Sequence, residues 1–72
     1  MMSDQEMKDK IIAGLIAHAK GVIALHKTNV EVYLEKTVGI GEHSDILETI
    51  QKELDLIAQQ EDRIDVLEKH FG

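Results

Sequence analysis

Thr37-Val38-Gly39-Ile40-Gly41-Glu42-His43-Ser44-Asp45 (37–45, TVGIGEHSD) is the one break in a chain that otherwise reads as helix, because no proline occurs anywhere in it. Upstream of the break, apolar residues recur at i, i+3 and i+4. Ser3 followed by Glu6 forms a capping box, in which the hydroxyl accepts from an early helical N–H and the carboxylate reaches back to the cap. One helix is therefore predicted over about 4–36, close to 50 Å long at about 1.5 Å per residue. Gly39 suits the left-handed position that ends a helix, with Val38 or Ile40 folding back on the last turn. Downstream, Ser44 or Asp45 caps a second helix, and Asp45 with Glu48 offers a second box and negative charge at the positive end of the dipole. That helix is predicted over about 45–70. A connection as short as 37–44 between two long helices makes an antiparallel hairpin, so the fold class is all-α and the chain, 1–72, is one domain.

The faces of the helices extend this reading. At about 100° per residue, Ile11, Ile12, Leu15, Ile16, Ala19, Val22, Ile23, His26, Val30, Tyr33 and Leu34 share one half of helix 1. This arc is wider than one partner helix covers. The matching arc of helix 2 is Ile46, Leu47, Ile50, Leu54, Ile57, Ala58, Ile64, Leu67 and Phe71, with Glu61 near its middle. Helix 1 has a second non-polar face of small residues, Gly14, Ala17, Gly21, Ala24 and Thr28. Each glycine costs roughly 1 kcal/mol of helix propensity, which calls for an offsetting close contact with another helix. The expectation is a homodimeric four-helix bundle in which helix 1 meets its symmetry mate along Gly14, Ala17, Gly21 and Ala24.

Composition supports an assembly and restricts the partners. A chain of 72 residues buries only about 60% of the surface its unfolded form presents, too little for a large active-site cleft. With no Cys there is no disulfide framework, thiolate metal site or cysteine nucleophile, and the default setting is intracellular. Residues 1–36 hold five acidic and five basic side chains, whereas residues 37–72 hold nine acidic and three basic, so the whole net charge of −6 belongs to the second half. A surface of this sign repels phosphate backbones and anionic lipids, and neither direct nucleic-acid binding nor membrane binding is expected. Ile11 to Leu25 is about five residues short of a bilayer crossing and contains His18 and Lys20. As a signal peptide it would follow a positive segment, but Asp4, Glu6 and Asp9 offset Lys8 and Lys10.

Candidate chemistry is sparse. With the turn centred near residue 40, antiparallel register sets residue 61 opposite residue 19, which brings Glu61 to His18 rather than to His26. A carboxylate and imidazole in the bundle centre, doubled by a two-fold axis, would make a metal or acid–base site from His18, His26 and Glu61. The same pair would serve equally as a polar contact fixing register, and this reading is preferred. Di-metal carboxylate bundles use Glu-x-x-His, and no histidine here has a Glu three residues before it. Gly39-x-Gly41 before Ser44 lacks the third glycine, the preceding strand and the lysine of a phosphate loop. Glu42-His43-Ser44-Asp45 gathers triad residue types on one short loop, where they do not converge as a triad requires. No catalytic residue, metal or cofactor is expected. Glu42 and His43 in the loop, with Asp55, Asp62 and Asp65 on the outer face of helix 2, are the candidate partner-binding residues, and the acidic face could act as a decoy for a nucleic-acid-binding protein.

The run Val38-Gly39-Ile40-Gly41-Glu42-His43-Ser44-Asp45-Ile46, followed by acidic heptads to Leu67-Glu68-Lys69-His70-Phe71, resembles small uncharacterised proteins of marine T4-like cyanophages and ocean metagenomic sequences. The likeness covers about half the chain; helix 1 matches only in character, and Lys36-Thr37 stands where those proteins often have Asn-Pro. It implies no activity and no catalytic residues. It does imply a phage-encoded protein acting in the cytoplasm of an infected bacterial cell. The expected function is that of a non-enzymatic, homo-oligomeric interaction protein engaging another protein, with a small-ligand or metal-binding bundle as the alternative.

Overall fold

A computed structural model describes residues 1–36 and 43–72, excepting the side chains of Lys36, His43 and Ser44. It consists of two helices that pack against each other, α1 (Asp4–Lys36) and α2 (His43–Phe71). No strand occurs among the described residues. The readings that fall on 37–42, namely the Gly39 helix stop, the Gly39-x-Gly41 loop and the Glu42 contact, lie outside them.

α1 starts where the capping box predicts. The Ser3 hydroxyl accepts from the Glu6 N–H at 3.1 Å, and the Met7 N–H donates to the Ser3 carbonyl at 3.0 Å. The Glu6 carboxylate accepts from the Ser3 hydroxyl at 3.2 Å instead of reaching the backbone N–H of the cap. Two donors of the first turn are thereby satisfied, and Asp4 and Glu6 set negative charge at the positive end of the dipole. α2 begins two residues before the predicted start. Asp45 is therefore a first-turn residue rather than the cap, and its carbonyl accepts the Thr49 hydroxyl at 2.8 Å. At the other end Lys69 and His70 complement the dipole.

The inner faces follow a 4-3 repeat on both helices. On α1 the residues shielded from solvent include Ile12, Ile16, Ala19, Ile23, His26, Val30 and Tyr33; on α2 they include Ile46, Ile50, Glu53, Ile57, Gln60, Ile64 and Leu67. Such a spacing keeps one stripe of each helix turned to the other, as in an antiparallel coiled coil. The arcs predicted from the sequence are correspondingly too wide. Ile11, Leu15 and Leu34 on α1, and Leu47, Leu54, Ala58 and Phe71 on α2, stay exposed.

The hairpin covers little. Its Cα extents are 59 × 20 × 12 Å, a slab whose thickness is that of one helix. Ala19 is the one buried hydrophobic side chain among the described residues, and Ile11, Leu15 and Leu25 are each more than half exposed. A compact monomer of 8.1 kDa exposes about 4,500 Å², whereas this chain exposes 5680 Å². The excess of roughly 1,200 Å² is larger than the approximately 800 Å² that each partner gives to a standard interface.

Candidate functional site

Two polar positions interrupt the apolar seam, and both come from residues the 4-3 repeat turns inward. At the first, the Glu53 carboxylate of α2 accepts from His26 Nδ1 of α1 at 2.5 Å through Oε2. Asn29 Nδ2, one turn further along α1, lies 3.3 Å from both Oε1 and Oε2. The His26 and Glu53 side chains keep only 19% and 15% of their surface in contact with solvent. A carboxylate can only accept, so Nδ1 carries the proton of this bond and the imidazole is held in one orientation. At the second position Gln60 is 6% exposed and lines a groove together with Ala19. Its Oε1 is buried and has no hydrogen-bond partner. Leaving such an acceptor unpaired costs about 1–3 kcal/mol.

These contacts fix the register. They put the turn centre near residue 40, as the sequence predicts, but the predicted pair does not form. His18 and Glu61 are both exposed and share no hydrogen bond or ion pair. The physical reason is helical phase: Gln60, not Glu61, occupies the inward position, and a shift of one residue turns a side chain by about 100°. His26 points inward as expected, but toward Glu53, far along α2 from Glu61. His18, His26 and Glu61 therefore do not gather, and among the described residues no three His, Asp or Glu side chains stand close enough to hold a metal ion.

The small residues Gly14, Ala17, Gly21 and Ala24 are all exposed and off the α1–α2 contact, and a Cβ added to Gly14 or Gly21 would meet no atom within 4 Å. Thr28, which continues that row, returns its hydroxyl to the Ala24 carbonyl at 2.9 Å, so the row presents no unsatisfied donor. Asp55, Asp62 and Asp65 are exposed on α2. No described helix is long and apolar enough to cross a membrane.

Chemically, the His26–Asn29–Glu53 group is a half-buried carboxylate ringed by donors. Imidazole and carboxylate alone make an oriented base; acyl or phosphoryl transfer also requires a nucleophile and a place for developing charge, and among the described residues the side-chain hydrogen bonds of this group run only between His26, Asn29 and Glu53. Glu53, Asn29 and Gln60 escape an apolarity-led reading of the sequence. The signal that finds Glu53 and Gln60 is the seven-residue recurrence of β-branched residues, Ile16, Ile23 and Val30 on α1 and Ile50, Ile57 and Ile64 on α2, whereas Asn29 flanks the stripe that this recurrence marks.

No family model matches this chain, and comparison with curated proteins and with solved structures yields no match. The functional reading therefore stands on geometry and charge.

Proposed function

We propose that this protein is a non-enzymatic, self-associating helical interaction module that works as a dimer and engages another protein. The observation that carries this reading is the uncovered apolar surface: one buried hydrophobic side chain among the described residues, and an exposed area roughly 1,200 Å² above that of a compact monomer. A small domain with so little interior is held together by association with other chains. The exposed carboxylates Asp55, Asp62 and Asp65 suit a partner with basic side chains, which would be captured in a salt-sensitive manner. The resemblance to cyanophage proteins makes the cytoplasm of an infected bacterium the place to seek it. A metal-binding bundle has less to support it, since it needs His18, His26 and Glu61 at one point and the hairpin holds them apart.

Sedimentation equilibrium across a range of chain concentrations, with circular dichroism melts at the same concentrations, tests the proposal. The expected result is a dimer mass and a melting temperature that rises with concentration. A monomer mass with a melting temperature independent of concentration overturns it.

A further inference from the structure

The two broad sides of the hairpin are not alike. Resting on the self-association reading above, we infer that a second copy of this chain seats, two helices against two, on the side where Leu15 and His18 of α1 face Arg63 and Val66 of α2 across the groove that holds Gln60.

The 4-3 repeat fixes which residues flank the seam on each side. On the groove side the flanking positions of α1 from 8 to 36 and of α2 from 46 to 70 hold no Asp or Glu. They carry Ile11, Leu15, Leu25, Val32, Leu56 and Val66, each between 39% and 59% exposed. The opposite side is charged: Lys10, Lys20 and Lys27 flank the seam on α1, and Glu61, Asp65 and Glu68 on α2, all of them exposed. Its exposed large apolar side chains, Leu34, Leu47 and Leu54, gather in the half nearer the connection. Covering the first side removes apolar surface from water along the whole hairpin, whereas covering the second would desolvate six charges.

The second support lies inside the groove, whose volume is about 410 Å³. Gln60 lines it and is 6% exposed, and its Oε1 is buried without a hydrogen-bond partner. The hairpin alone leaves this acceptor unmet. A copy laid over the groove brings the N–H donors of its own His18, Gln59 and Arg63 to the mouth of it.

Width and charge decide for a second copy as occupant. The broad sides measure 59 × 20 Å between Cα atoms. A lone helix, about 10 Å across, covers half of that width, whereas a second two-helix layer spans it. Overlap over about two-thirds of one side supplies the approximately 800 Å² per partner of a standard interface. Each cation lining the grooves on this side shares its groove with one carboxylate, Lys8 with Asp4, Lys52 with Asp55 and Arg63 with Asp62. In a chain of net charge −6 these grooves are balanced, so a copy approaches without like-charge repulsion, while a strongly acidic or basic partner finds no opposing net charge. The small-residue row Gly14, Ala17, Gly21 and Ala24 lines none of them and stays outside the contact.

The chain has no cysteine, so alkylation of single-cysteine variants maps the covered side. Leu25→Cys and Val66→Cys lie on the groove side and Gly21→Cys and Ala58→Cys off it, and all four positions are exposed in the hairpin. Sedimentation finds the chain concentrations over which monomer becomes dimer, and circular dichroism checks that each variant stays helical. As concentration rises through that range, iodoacetamide is expected to react progressively more slowly with Leu25→Cys and Val66→Cys, and at a constant rate with Gly21→Cys and Ala58→Cys. A dimer with this pattern supports the inference. A dimer in which Gly21→Cys or Ala58→Cys is protected while Leu25→Cys and Val66→Cys stay reactive overturns the arrangement and leaves self-association standing. A chain that remains monomeric overturns both.

Discussion

Replacing Glu53 by Ala leaves His26 Nδ1 and Asn29 Nδ2 as donors without their acceptor in a seam where His26 keeps only 19% of its surface in water. A hydrogen bond to a charged group contributes about 1.5–3 kcal/mol, and the two Asn29 contacts at 3.3 Å together add no more than an ordinary bond of about 0.5–1.5 kcal/mol. Water reaching the part-exposed groups offsets some of this. Glu53→Ala is therefore expected to cost roughly 2–3 kcal/mol, or about 10 °C or more of melting temperature for a domain of this size. His26→Ala is expected to cost a similar amount and the double variant well below their sum, giving a coupling of about 1–2 kcal/mol. Guanidinium unfolding followed by circular dichroism, at one fixed chain concentration so that association contributes equally, measures all four corners of the cycle. A coupling inside the usual additivity error of about 0.5 kcal/mol would refute the view that the His26–Glu53 bond ties the helices together. The complementary swap, His26→Leu with Glu53→Leu, is expected to raise stability by about 1–4 kcal/mol, since a packed apolar pair of similar volume avoids desolvating the charge.

Three further outcomes follow from the same geometry. Gly21→Leu, placed where no atom of the hairpin lies within 4 Å, is expected to retain full helicity and an unchanged dimer mass; a monomer mass would move the interface to that side of α1. Ser3→Ala removes the cap that receives the Glu6 N–H and is expected to cost about 1 kcal/mol, read as faster amide exchange at Glu6 and Met7 than in the parent chain. Asp55→Asn, Asp62→Asn and Asp65→Asn together are expected to shift stability by no more than about 0.5 kcal/mol while abolishing salt-sensitive capture of a basic partner, and capture that persists in this variant would place the partner surface elsewhere.

The helices were legible because their boundaries are written in local chemistry. Ser3 and Glu6 mark the start of α1, and the absence of proline lets the apolar recurrence run unbroken to Lys36. Register was legible too, since a short connection leaves little freedom. Phase on α2 was not. A wheel drawn through apolar residues takes in Leu47, Leu54, Ala58 and Phe71, which flank the seam, and passes over Glu53 and Gln60, which lie in it. Burial of a polar side chain depends on what the facing helix offers, here the donors of His26 and Asn29, and that information resides in the pairing rather than in either helix alone.

The hairpin's constant register also orders events in time. His26 and Glu53 lie 27 residues apart in sequence, and contacts nearer the connection close smaller loops, so their entropic cost is met first and each further rung adds little. Association then proceeds like a zipper from the connection outward, in the fast regime of helical proteins with local contacts. The far end, where Met7, Ile11, Leu67 and Phe71 share one open groove, closes last and opens first. Hydrogen exchange should therefore fall from the termini toward the polar rung.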